Sequence, residues 1–317
     1  MKAPPLPAAG RLVSLGTHRL HLHCLGTGRP AVVFDAALGG SSLSWTFVQP
    51  AVAEFTTACT YDRAGFGWSD AGPMPRTAGR IAAELHDLLT GANVPAPYVL
   101  VGHSFGGLTM RAFASRYDQE VAGLVFVDPA HPEDWREPSA ADREHLQRGV
   151  ALCRRGVFAA KTGVAALVAR LASAGALDLA RGIAATVSRR TLHRHDEEIL
   201  APVTRLPMDV RAVLRWMWTQ PRFFAALGSQ IEHIAASAAD IDGRPDYGSL
   251  PLITISATEM TDGRRRLQDA LAGRSTRGRH IVAARSGHWI PLDEPDVIVQ
   301  AIREVVDVAR SSPTVVT

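Results

Sequence analysis

No stretch of about 18 uninterrupted apolar residues occurs in this chain, so a membrane-spanning helix is not expected. Lysine is almost missing: Lys2 and Lys161 are the only two, and arginine carries the rest of the positive charge. The 34 basic and 31 acidic residues are scattered rather than grouped, and the formal charge is only +3. No cationic stripe exists to follow a phosphate backbone, so a nucleic-acid partner is not expected. Cysteine is scarce and odd in number. Cys24, Cys59 and Cys153 are widely spaced with no C-x-x-C pair, and Met1–Pro7 carries a charge but no apolar segment of signal-peptide length. Together these features point to a reduced, cytoplasmic setting. Metal spacing is absent as well. His21 and His23 share one strand face, but no third ligand accompanies them, and a half-exposed strand surface accounts for both.

What remains describes a globular protein of ordinary composition. Hydrophobic residues make up 46% and charged residues 21% of 317 positions, enough for one large core or a core with a sizeable insertion. Residues 11 to 26 alternate as a hairpin does, with a turn at Gly16-Thr17. Ala31–Asp35, Thr57–Tyr61, Tyr98–Val101, Gly123–Val127, Leu250–Ile255 and Arg279–Ala284 read as strands. The longer of them are continuous apolar runs, which suit a sheet buried on both faces. Arg80–Leu89 has apolar residues at helical spacing (Ile81, Leu85, Leu88, Leu89), so strands and helices alternate and imply a parallel α/β sheet. From about residue 132 to about residue 247 the pattern turns helical, rich in Ala, Leu and Arg.

One pentapeptide carries the chemistry. Gly102-His103-Ser104-Phe105-Gly106 follows a strand and precedes a helix-like stretch, the context in which G-x-S-x-G forms a nucleophile elbow. A serine at the tip of so tight a turn takes a positive φ, and a side chain at Gly102 or Gly106 would clash across it. Ser104 is the expected nucleophile. Asp62-Arg63-Ala64-Gly65-Phe66-Gly67-Trp68-Ser69 follows the next strand. Its two glycines lack the later acidic residue and βαβ spacing of a dinucleotide loop, and a structural turn is expected. Near the C-terminus, Ser286-Gly287-His288-Trp289 follows the last strand.

Taken in this order, these segments resemble the α/β-hydrolase superfamily from about residue 11 to about residue 308, as a capped serine hydrolase of the esterase or lactonase type. The resemblance implies an α/β-hydrolase fold: a mostly parallel central sheet flanked by helices, with a helical cap inserted before the last two strands. Residues 1–131 and 248–317 would form the core domain and 132–247 the cap or lid. It implies that His288 is the base. The acid is open between two places. Relatives usually carry an aspartate after the strand that follows the cap, where this chain has Glu259 and Asp262 one and two residues out of place; some take it from the strand before the cap, where Asp128 stands. A carboxylate fixed at a strand end is better preorganised than one in a loop, which favours Asp128. The oxyanion hole would use the N–H of Phe105, after the nucleophile, and that of Ala37, with Leu38 as the other candidate, although Asp35-Ala36 stands where the family usually has His-Gly. Trp216 and Trp218 either line an apolar substrate pocket or pack in the cap's core.

The expected activity is cleavage of a small to medium carboxylic ester or lactone through a Ser-His-Asp triad and an acyl-enzyme, with no cofactor and no metal. Amide or carbon–carbon bond hydrolysis and metal-free perhydrolysis use the same triad and stay open, as does a weakly hydrolytic ligand-binding protein on the same fold. Relatives that open epoxides or displace halides have an aspartate nucleophile, so Ser104 argues against both. The partner expected is a small-molecule ester or lactone, and oligomeric state is not legible.

Overall fold

The computed structural model describes residues 8–173, 201–241 and 246–311. Eight strands form one sheet: β1 (Arg11–Ser14), β2 (Arg19–Leu25), β3 (Ala31–Asp35), β4 (Ala58–Tyr61), β5 (Tyr98–His103), β6 (Val121–Val127), β7 (Leu252–Ala257) and β8 (Gly278–Ala283). Their spatial order is β1-β2-β4-β3-β5-β6-β7-β8. β1 pairs antiparallel with β2, and β2 with β4; every other pairing is parallel. The apolar runs explain the centre. β3, β4, β5 and β7 are buried at every residue, because helices cover both faces of a parallel sheet.

Strand alternation divides the core into two layers. Val33, Leu100, Leu124 and Phe126 face α2 (Ala78–Gly91) and α3 (Phe105–Arg116), while Val32, Phe34, Val99, Val101, Val125 and Val127 face α1 (Gln49–Ala53) and a C-terminal helix. That last helix, Pro295–Ser311, buries Ile298, Ala301, Ile302, Val305 and Val306, an i, i+3, i+4, i+7, i+8 stripe laid along the sheet.

Between β6 and β7 the described residues are helical: α4 (Pro132–Trp135), α5 (Ala140–Lys161), α6 (Val164–Ser173), a 3₁₀ turn at Ala201–Arg205, α7 (Met208–Met217), α8 (Pro221–Glu232) and α9 (Ile234–Ala239). α5 starts at a capping box, with Ser139 accepting from Asp142 N–H and the Asp142 carboxylate accepting from Ser139 N–H. The helical pattern expected from about residue 132 is interrupted over 157–180 at Gly163, whose φ of 81° is a backbone conformation glycine adopts freely. Its residues 174–180, like Met1–Pro7, lie outside the described residues. The remaining helices are α10 (Asp262–Ala272), α11 (Ile290–Asp293) and the C-terminal α12 (Pro295–Ser311).

The insertion is fastened to the core at a helix start. The first N–H groups of α2 have no intrahelical partner. Ala78 N–H donates to Ser237 Oγ at 3.0 Å and Gly79 N–H to Asp240 Oδ2 at 2.7 Å, and Ser229 Oγ accepts from Arg76 N–H at 3.0 Å. Met217 Sδ and the Arg222 guanidinium add bonds to the main chain of Gly67.

Two readings of the first hairpin are corrected. His21 is buried rather than half exposed: its Nδ1 lies 2.9 Å from Asp62 Oδ2 and its Nε2 bonds to Ala9 O, because the 62–69 turn folds over β2. Cys24 and Cys59 form a disulfide, whereas a reduced chain was expected. They stand opposite each other in the β2–β4 register although 35 residues separate them in sequence. The pairing is invisible until β4 is known to lie beside β2.

Candidate active site

Ser104 sits between β5 and α3 at φ 54°, ψ −117°, half buried. The turn admits no side chain on its flanks. A Cβ on Gly102 would stand 2.5 Å from Gly106 O, and one on Gly106 would stand 2.4 Å from Asp35 O. The elbow is pinned to β6: Ser104 N–H donates to Val127 O at 3.0 Å, and Ser104 O accepts from Ala130 N–H at 3.0 Å. Asp128 lies between those two contacts, at the end of β6, with φ 37°.

Asp128 Oδ2 is 2.6 Å from His288 Nδ1, so the structure brings Asp128, His288 and the Ser104 turn together. Nδ1 therefore carries the proton, and Nε2 is left to exchange one. Burial alone would raise the Asp128 carboxyl, but the hydrogen bond and the charge of His288 outweigh it and hold the group below its ordinary value. Glu259 and Asp262, the alternative acids, are exposed on the loop after β7 and at the start of α10. Ser104 Oγ makes no hydrogen bond to the imidazole here; such bonds often tighten only when substrate is bound.

His103, inside the pentapeptide, holds the loop that carries His288. It is fully buried, and its Nε2–H donates to the main-chain carbonyl of His288 at 2.8 Å, with the two rings 4.8 Å apart. Burial, reinforced by the neighbouring His288, lowers its pKa to about 3, so it serves as a neutral donor. Its place before the serine was the only sequence signal of that role.

Phe105 opens α3, where helix N–H groups lack intrahelical partners. Among the described residues neither Phe105 N–H nor Ala37 N–H donates a hydrogen bond within the protein. The loop bearing Ala37 is held by Arg63, whose Nε donates to Asp35 Oδ1 at 2.8 Å and whose Nη atoms reach the carbonyls of Ala36 and Ala37. The Asp62 turn is structural, as expected. Asp62 is buried and accepts from Ser42 N–H at 2.7 Å and Trp68 N–H at 3.1 Å.

Trp216 and Trp218 are partly buried in an apolar cluster with Phe66, Met217 and Phe223. Leu43, Leu227 and Leu292 join the same cluster, from the loop after β3, from α8 and from α11, which follows His288. A Cβ on Gly39 would stand 3.6 Å from Leu227, so α8 lies over the loop that carries Ala37.

The family model for the alpha/beta hydrolase fold matches residues 30–295. The chain belongs to that family. An AB hydrolase superfamily protein of Gibberella zeae is 24% identical over 309 residues, 89% of this chain and 88% of its own. A segment is 37% identical over 127 residues to the probable transporter efuK of Hormonema carpetanum, covering 38% of this chain and 18% of that protein. The chain spans less than half the length of the first curated relatives it matches. Among solved structures, a thermophilic esterase from Thermogutta terrifontis superposes with a TM-score of 0.64 at 19% identity, over 96% of this chain and 100% of that one. At that identity the likeness establishes the shared hydrolase fold alone.

Proposed function

We propose that this protein is a serine hydrolase acting on a carboxylic ester or lactone of small to medium size. The observation that carries the reading is the 2.6 Å bond from Asp128 to His288 Nδ1 beside a serine held at positive φ on a strand-to-helix elbow. His288 Nε2 takes the proton from Ser104 as its oxygen attacks the carbonyl. Asp128 holds the imidazole in the tautomer that can accept it and stabilises the imidazolium that forms. The N–H groups of Phe105 and Ala37 receive the oxyanion. The protonated His288 then gives its proton to the leaving alkoxide, and water deacylates the serine by the same base. No cofactor enters this cycle.

In this reading residues 132–247 form a cap over a core made of residues 1–131 and 248–317. The cluster containing Trp216 and Trp218 supplies an apolar wall for the acyl or alkyl part of the substrate. A cytoplasmic setting loses support from the Cys24–Cys59 disulfide, which suits an oxidising compartment. Both serine and histidine are in place, so a non-hydrolytic binding protein is the less supported reading.

The test is reaction of the whole protein with a fluorophosphonate, read by intact mass, followed by turnover of an ester and lactone panel with and without peroxide. A single adduct that disappears in Ser104→Ala is expected. A folded protein that takes no adduct and turns over no ester would overturn the reading. Peracid formation or amide cleavage in place of ester hydrolysis would reassign the reaction while keeping the serine.

A further inference from the structure

Asp35 ends β3 and Arg63 stands two residues past the end of the adjacent strand β4, and they form a buried ion pair with 2% side-chain exposure on each partner. Arg63 Nε donates to Asp35 Oδ1 at 2.8 Å, and Nη2 lies 2.8 Å from Oδ2. Pairs of this kind contribute little net stability, because desolvation offsets the attraction. This guanidinium has further work. Its Nη2 donates to Ala36 O and its Nη1 to Ala37 O at 3.3 Å, so all three nitrogens are engaged. The plane also lies over the Phe105 ring, 4.9 Å from its centroid.

A trans peptide points its C=O and its N–H in opposite directions. Holding the carbonyls of Ala36 and Ala37 against Arg63 therefore turns the N–H groups of Ala37 and Leu38 away from it. Gly40 N–H reinforces the second plane by donating to the same Ala37 O at 3.0 Å. The carbonyls of Asp35 and Ala36 crowd Gly106, so this loop runs directly against the start of α3, where Phe105 offers its own N–H.

We propose that Arg63, locked by Asp35, is a positioning residue for the oxyanion hole: it sets the peptide planes of the loop after β3 and, through the Phe105 ring, their relation to the elbow. The inference rests on the serine hydrolase reading. It explains why an aspartate stands at the end of β3. A buried guanidinium bonded to carbonyls needs a counter-charge, and Asp35 supplies it.

Removing one oxyanion donor from a hydrolase costs about 10²–10³ in kcat. The double variant Asp35→Leu/Arg63→Met removes both charges together and leaves neither buried and unpaired. With p-nitrophenyl butyrate it is expected to lose about 10²-fold in kcat with KM within about threefold, and fluorophosphonate labelling of Ser104 should slow in parallel. Asp35→Asn, which keeps the volume and one acceptor but drops the charge, should lose about tenfold in kcat, again with KM little changed. Double-variant kcat within threefold of wild type, or a change confined to KM, overturns the proposal. If the double variant does not fold, wild-type kcat in Asp35→Asn overturns it and a loss confined to kcat supports it. Failure of the parent reading looks different: the wild-type protein itself would take no label at Ser104.

Discussion

At the far edge of the sheet, Ser256 Oγ lies 2.7 Å from His280 Nε2, and His280 Nδ1 lies 2.6 Å from Asp269 Oδ1. At the elbow, Asp128 and His288 are joined by an equally short bond, but the Ser104 hydroxyl is not bonded to the imidazole. Judged by hydrogen bonds alone, the Ser256 chain is the more complete relay. The surroundings reverse that order. Ser256 is 0% exposed inside β7, its backbone paired in register with β8 and its neighbours on both sides in the ladder. No carbonyl carbon can approach it. Ser104 is half buried at a strained turn beside free N–H groups, and the His288 side chain is 41% exposed. A relay of three groups orients a proton; access and an anion-stabilising site turn that orientation into catalysis. The Ser256 relay ties β7, β8 and α10 together instead.

The sharpest way to break this contrast is to delete each hydroxyl. Ser104→Ala should lower kcat for an ester by about 10⁴–10⁶ with the fold intact. Ser256→Ala should leave kcat within about twofold and lower stability by about 1 kcal/mol, the worth of one buried hydrogen bond. Circular dichroism melting beside ester turnover checks both. Activity surviving in Ser104→Ala, or vanishing from a folded Ser256→Ala, would exchange the two assignments.

The carboxylates separate the regions next. Asp128→Asn should reduce kcat by about 10³–10⁴, because the imidazole loses the partner that selects its tautomer. Asp269→Asn and Asp262→Asn should each stay within about threefold, one belonging to the Ser256 relay and the other lying unpaired with His288 at the start of α10. A loss confined to Asp262→Asn would move the acid to the start of α10.

How much of this was readable from sequence depends on whether a feature is local. The elbow was legible because Gly102, Ser104 and Gly106 meet the demands of one turn within five residues. The place of His288 was legible because it follows the last strand. What escaped depends on strand order. β4 lies between β2 and β3, so Cys24 meets Cys59 and Asp35 meets Arg63 across neighbours that chain order does not announce. His21 was misjudged for the same reason, since the turn that covers it comes some 40 residues later. The second relay escaped too: Ser256, Asp269 and His280 carry no motif, and only the β7–β8 pairing and the packing of α10 bring them together.

The smallest expected effect lies in the pH dependence of stability. Asp128 titrates below its ordinary value in the folded protein, against about 3.9 for an unperturbed aspartate. A carboxyl lowered by folding stabilises the native state at pH above its unfolded pKa, and that contribution fades as pH falls through the folded value. Wild type should therefore exceed Asp128→Asn in urea-unfolding free energy above the ordinary aspartate value of about 3.9, and the margin should shrink as pH falls below it and the carboxyl protonates. A margin unchanged down to pH 2 would mean that Asp128 stabilises the fold through packing rather than through its bond to His288. The distinction bears on the elbow directly, because a carboxylate that only packs would hold the imidazole without selecting its tautomer, and the kcat loss in Asp128→Asn would then need another cause.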